Sequence, residues 1–205
     1  LWVPYVKFGP LGRDPCALSR CRALAASSIA DIVRHKVVGV MGSGSKPHAA
    51  RAQALGAWLA TAGYHLLTGG GGGVMASVSR AFAETEGRAG SVIGVLPAAA
   101  DSPQDAPTGY PNPWIEIAIH THLPARGDDG EEALSRNHIN ILSAEAVVAL
   151  PGGAGTLSEV ELALAYGRPI VAHMTDAAEL PGLPDAVPVA PHLDDVRAFI
   201  ETALC

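Results

Sequence analysis

The feature that most constrains this chain is a unit that recurs three times: a short apolar run, a glycine cluster, then a helical pattern. Val37-Val38-Gly39-Val40-Met41 leads into Gly42-Ser43-Gly44-Ser45. Residues 64–68 lead into five consecutive glycines, Gly69 to Gly73. Residues 146–150 lead into Pro151-Gly152-Gly153-Ala154-Gly155-Thr156. Short apolar runs bounded by turn residues mark strands buried on both faces, as in a parallel sheet covered by helices. The pattern predicts strands over 37–41, 64–68, 91–96, 114–122, 146–150 and 169–173, with 187–189 as a last short strand. It predicts helices over 47–62, 74–86, 131–143, up to 166 after the third glycine loop, and 193–204. Residues 98–113, with Pro103, Pro107, Gly109, Pro111 and Pro113, read as a loop. Such alternation, with short right-handed connections, implies an α/β fold: a Rossmann-like doubly wound parallel sheet.

The first 35 residues differ. Residues 1–13 lack periodicity and read as an arm. Asp14-Pro15 looks like a helix start, and Leu18, Cys21, Ala25, Ile29 and Ile32 then form one apolar stripe. The expected organisation is therefore an N-terminal arm and helix over 1–35 and a single nucleotide-binding domain over 36–205. A length of 205 residues with 48% apolar and 17% charged residues suits one globular domain with an extension. The net charge of −6 argues against a nucleic-acid partner. No apolar run is long enough to span a membrane. Cys16, Cys21 and Cys205 form neither a disulfide framework nor a metal quartet, so a reducing cytoplasm is the expected location.

All three glycine loops fall at the carboxyl ends of strands, where doubly wound sheets bind ligands. Backbone N–H groups at helix N-termini favour anions, so three such loops on one edge point to a phosphate-bearing small molecule. No loop is a standard nucleotide fingerprint. Gly42-Ser43-Gly44 lacks the third glycine of G-x-G-x-x-G, and no P-loop motif occurs. In Pro151 to Glu159, the Gly152–Thr156 turn offers N–H groups and a hydroxyl to a phosphate. Glu159 is expected in the first turn of the following helix. There it either acts on another part of the ligand or forms a capping box with Thr156, whose S/T-x-x-E spacing it matches.

P-G-G-A-G-T-L-S-E resembles the P-G-G-x-G-T-x-x-E signature of the Lonely Guy family, the cytokinin-activating nucleoside 5′-monophosphate phosphoribohydrolases. Gly42-Ser43 is similar to that family's first loop. Thr68 to Met75 resembles a shortened G-G-G-x-x-G-x-M segment. Arg136 matches the family's arginine on the preceding helix. The resemblance covers about residues 36–175. It implies that Arg136 and Glu159 are catalytic, and that Gly42, Ser43, Gly70, Gly71, Gly72, Gly73, Gly152, Gly153, Ala154, Gly155 and Thr156 hold the nucleotide and its phosphate. Glu159 would stabilise the charge developing on ribose or activate water, Arg136 would hold the ligand or orient Glu159, and no metal or other cofactor would be required. The products would be free base and ribose 5-phosphate.

Two departures count. The lysine that usually follows the arginine is Asn137 here, and Arg136-Asn137…Asn140 looks more like the related molybdenum-cofactor carrier proteins. The loop over 98–113 and the helix before Lys36 are additional. The "lysine decarboxylase" label attached to many members fails on this sequence. That chemistry needs a lysine Schiff base, and Lys7, Lys36 and Lys46 are all poorly placed for one. His120, His122 and His138 offer no clear fourth metal ligand, although the strand end bearing His120 and His122 is expected to border the cleft. Two readings follow. The leading one is a nucleoside 5′-monophosphate phosphoribohydrolase, favoured by the intact motif with Arg136. The other is a non-catalytic carrier of molybdenum cofactor, or a nucleotide-binding protein, favoured by Asn137 and Asn140. Relatives of either kind imply a homo-oligomer, expected as a dimer with the 131–143 and 156–166 helices near its interface.

Overall fold

The computed structural model describes residues 34–125 and 127–205, so the expected arm and helix over 1–35 lie almost wholly outside the described residues. The strands are β1 (Val37–Met41), β2 (His65–Thr68), β3 (Val92–Leu96), β4 (Ile117–His120), β5 (Ala146–Ala149) and β6 (Ile170–Ala172). The helices are α1 (Ala49–Thr61), α2 (Gly73–Ala83), α3 (Asn137–Ser143), α4 (Ala154–Ala165) and α5 (Leu193–Leu204). The six strands form one sheet in the order β4-β3-β2-β1-β5-β6, and every pairing is parallel. The chain winds outward from β1 to β4, then returns to the other side of β1 with β5. That reversal makes the gap between β1 and β5 the topological switch point, where a doubly wound sheet opens a crevice at its carboxyl edge.

The period-two alternation of the strands divides their side chains between two cores. Val38, Val40, Leu66, Val148 and Val171 face one way and pack with Leu55 and Leu59 of α1, Val78 and Phe82 of α2, and Val196 and Ile200 of α5. Met41, Leu67, Val147, Ala149 and Ile170 face the other way, against Ile141 of α3 and Val160 and Ala163 of α4. The result is three layers, as predicted. Edge strand β4 is the exception: all four of its residues are exposed, including Ile117 and Ile119.

Most boundaries shift by one to three residues, and three elements differ in ways the structure explains. The predicted helix over 131–143 begins only at Asn137, because the Ser135 hydroxyl accepts the Asn137 N–H at 3.1 Å and Ser135 bridges to Ala125. A short polar side chain that engages nearby backbone holds the chain out of the helix. The predicted strand over 187–189 is reduced to one bridge, Ala172 to Val189. The strand predicted over 114–122 pairs only from Ile117 to His120, since Asn112 ties the preceding chain into a turn by accepting the Trp114 N–H.

Candidate functional site

Main-chain bonds gather the glycine loops. Ser43 donates its N–H to the Pro151 carbonyl at 3.1 Å, and its own carbonyl accepts the Val74 N–H at 2.8 Å. The loop after β1 is thus tied to both the loop after β5 and the first turn of α2. Gly73 makes this possible: its φ is +57°, and a Cβ there would strike the carbonyl of Ser43 and lie 2.7 Å from the Ser45 nitrogen. The Ser43 hydroxyl then accepts the N–H groups of Ser45 and Lys46 at 3.3 and 2.9 Å, which turns the loop towards the cleft.

The cleft that results has a volume of about 510 Å³ and sits at the switch point. Its polar wall is Gly42 to Ser45 on one side and Gly153 to Thr156 on the other, with Arg136, Asn137 and Glu159 beyond. No side chain caps α4, whose N-cap is Gly153. The Thr156 N–H donates to the Gly153 carbonyl at 2.9 Å, which leaves the N–H groups of Ala154 and Gly155, without partners within the helix, at the positive end of its dipole. An anion entering here meets oriented donors.

Arg136 and Glu159 form a buried pair, 4% and 8% exposed, with Arg136 Nη1 donating to Glu159 Oε1 at 3.2 Å. The same Nη1 donates to Asn137 Oδ1 at 2.6 Å, and Asn140 Nδ2 donates to Glu159 Oε1 at 3.3 Å. Asn137 Nδ2 continues the chain to Ser158 Oγ at 3.2 Å. The guanidinium lies against Gly69, where a Cβ would stand 2.7 Å from its Cζ. Burial pushes the Glu159 carboxyl up, while the Arg136 charge and the Asn140 hydrogen bond pull it back.

The helix starts at Ala154, so Glu159 stands in its second turn rather than its first. The Thr156–Glu159 capping box is absent, because the carboxylate turns to Arg136 and Asn140 instead.

A family model, the SLOG cluster4 family, matches residues 35–184. The chain belongs to that family. It is 29% identical over 133 residues to an uncharacterized protein of Archaeoglobus fulgidus, which covers 64% of this chain and 75% of the relative. Among solved structures it is similar to the molybdenum cofactor binding protein of Rippkaea orientalis, at 31% identity and TM-score 0.66 over 84% of this chain and 99% of the other. It is also similar to the molybdenum cofactor carrier protein of Chlamydomonas reinhardtii, at 31% identity and TM-score 0.64 over 83% and 99%. The DNA processing protein A of Helicobacter pylori, at 18% identity and TM-score 0.55, shares the fold.

Within this SLOG cluster4 chain, the cleft brings together Gly42, Ser43, Gly153, Ala154, Gly155, Thr156, Arg136 and Glu159. Gly70 to Gly73 and Gly152 do not line it. Their missing side chains make room for protein instead: Gly73 for the first loop, Gly71 for Tyr110 and Met75, Gly152 for Thr156. His120 and His122 are exposed on and just beyond edge strand β4 and do not border the cleft. His138 Nδ1 pairs with the Tyr166 hydroxyl at 2.7 Å, away from the other two. Among the described residues no group of three or more His, Cys, Asp or Glu side chains could hold a metal ion. No helix among them is long and apolar enough to cross a membrane.

Beyond the expected site residues, the cleft is also lined by Gly44, Ser45, Met75, Tyr110, Gly127 and Asn137. Met75 carried a signal, as the end of the second glycine segment. Tyr110 lies in a loop and Gly127 opens a short 3-10 turn, and neither carried one.

Proposed function

We propose that this chain is a binding protein for a phosphate-bearing heterocycle of the molybdenum-cofactor class, held in the cleft between β1 and β5 and released intact. The observation that carries this reading is the network in which Arg136 donates to Asn137 and Glu159, and Asn140 donates to Glu159. The residues that would have to act on a glycosidic bond are hydrogen-bonded to one another, and asparagine stands where the hydrolases place a second cation. The uncapped start of α4 and the Ser43 and Ser45 hydroxyls supply the phosphate subsite. Two relatives at 31% identity named for binding or carrying that cofactor support the same choice. The cleft volume falls in the range of small-molecule sites. On this reading residues 36–205 form the ligand-binding domain and residues 1–35 an appended segment. The exposed apolar residues Leu142 of α3 and Leu164 of α4, with Tyr166 just after α4, are the surface a second copy would cover.

One observation favours a second reading. Glu159 lines the cleft with a carboxyl raised by burial, as a general base or charge stabiliser in a nucleoside 5′-monophosphate phosphoribohydrolase would require. One experiment separates the two. The protein is purified from a host that makes molybdenum cofactor and assayed for molybdenum and pterin fluorescence. In parallel it is incubated with nucleoside 5′-monophosphates, and free base is quantified for the natural protein and for Glu159→Gln. Co-purifying pterin without base release supports the carrier. Base release that disappears in Glu159→Gln overturns it in favour of the hydrolase.

A further inference from the structure

Among the described residues, the apolar lining of the cleft apart from Ala154 is Met75 and Tyr110, and Tyr110 is the only aromatic side chain there. Everything else is glycine, small hydroxyl residues or the Arg136 network, so Met75 and Tyr110 supply the larger apolar side chains of the cleft. Tyr110 comes from the proline-rich segment over 98–113, which is additional to the glycine-loop framework. Nevertheless it is firmly placed. Asn112, two residues on and 5% exposed, donates its backbone N–H to the Gly70 carbonyl at 2.8 Å and its Nδ2 to the Gly71 carbonyl at 2.9 Å. Tyr110 donates its own N–H to the Pro107 carbonyl at 3.0 Å. Its ring lies against Gly71 beside Met75: a Cβ on Gly71 would be 2.8 Å from the phenol oxygen, the ring carbon bearing it and the Met75 methyl alike. The Met75 methyl also comes within 3.8 Å of a Cβ built on Gly44, so this residue reaches from the second glycine loop to the first.

Resting on the reading of the cleft as a phosphate-ester site, we infer that Tyr110 is the platform on which the planar heterocycle of the ligand stacks, with Met75 completing the apolar surface. The phosphate then lies at the start of α4 and the ring at the Tyr110 end. Asn112 is a positioning residue that holds the platform in place. A flat, electron-poor heterocycle gains dispersion and quadrupole attraction on a phenol face, and a thioether beside it adds polarizable contact. Inorganic phosphate gains neither. Tyr110 therefore sets which phosphate esters are retained, rather than whether phosphate is retained.

The test is calorimetric titration of the full chain with 6-hydroxymethylpterin phosphate, adenosine 5′-monophosphate and inorganic phosphate. Natural protein, Tyr110→Phe and Tyr110→Ala are compared. The expected result is a loss of about tenfold or more in affinity for the better ring-bearing probe in Tyr110→Ala. Tyr110→Phe should retain that affinity, and inorganic phosphate should bind all three proteins equally. Equal weakening of inorganic phosphate in Tyr110→Ala would overturn the proposal, since Tyr110 would then merely support the loops. So would a natural protein that binds the ring-bearing probes no tighter than phosphate; phosphate binding in that case leaves the anion site standing. Failure of all three probes on natural protein would remove the phosphate-ester reading and this proposal together.

Discussion

Replacing Arg136 by methionine should destabilise the protein in a way that depends on pH. The substitution keeps an apolar side chain of similar length and removes the charge. Glu159 is then left 8% exposed, with Asn140 Nδ2 as the remaining partner of Oε1. Breaking a buried pair by removing one partner costs about 3–5 kcal/mol, because the other charge stays buried and uncompensated. For a domain of this size that is a fall in Tm of roughly 6–20 °C. The protein relieves the cost by protonating Glu159, whose folded-state carboxyl burial already raises. A raised carboxylate contributes stability that is fully present below its unfolded value, about 4.3, and is lost as pH rises through the folded value. Removing Arg136 raises that folded value further. The deficit of Arg136→Met relative to natural protein should therefore be largest near pH 8 and shrink towards pH 5. Urea denaturation at both values measures it, and the added effect of Arg136→Met in a Glu159→Gln background should vary little with pH. A deficit that is the same at both pH values, and unrelieved by Glu159→Gln, would refute the argument.

Other expectations are simpler. Gly153→Asp should stabilise the fold by a few tenths of a kcal/mol yet weaken phosphate binding at least tenfold. The site is an extended N-cap with open space where the Cβ would go, but the new carboxylate faces the incoming anion; thermal melts and titration with phosphate check both halves. Glu179→Gln should cost about 1 kcal/mol at neutral pH, through loss of its two-oxygen pairing with Arg51. That pairing and the Thr175 N–H hold the Glu179 carboxyl at about 2, so its contribution is present above the unfolded value and lost as pH falls towards 2. Acid titration of both proteins should show their difference vanishing there. Gly56→Ala should cost about 1–3 kcal/mol by urea denaturation. Gly56 lets α1 approach α2 so closely that a Cβ would stand 2.5 Å from the Val78 carbonyl oxygen.

The strands were legible because they are covered on both faces, which turns burial into contiguous apolar runs such as Ala146 to Ala149. Edge strand β4 has no such cover, and its alternation extended misleadingly to Trp114 and His122. Turn glycines and the Pro151–Glu159 motif located the cleft, since backbone approach to an anion has a compositional signature. What the sequence hid was contact across distance. Asn137 meets Ser158 across 21 residues and Asn140 meets Glu159 across 19, so the capping box that the Thr156–Glu159 spacing also allowed gives way to an ion-pair network. Glycines read as ligand contacts proved in part to be spaces for protein, as Gly71 is for Tyr110.

The bonds that Ser43 makes to Pro151 and Val74 have a consequence for how this molecule changes over evolutionary time. Given glycine at position 73, the outline of the cleft is drawn by carbonyls and amides, which every residue but proline supplies, and side chains furnish it. Exchanges at Arg136, Asn137 or Tyr110 alter what the cleft does while its contour persists. Insertions behave differently: lengthening the first loop by one residue would shift two others with it. The architecture thus encourages chemical drift by substitution and resists it by length, so diversity within such a family should accumulate in identities lining the cleft and in the outlying 98–113 segment.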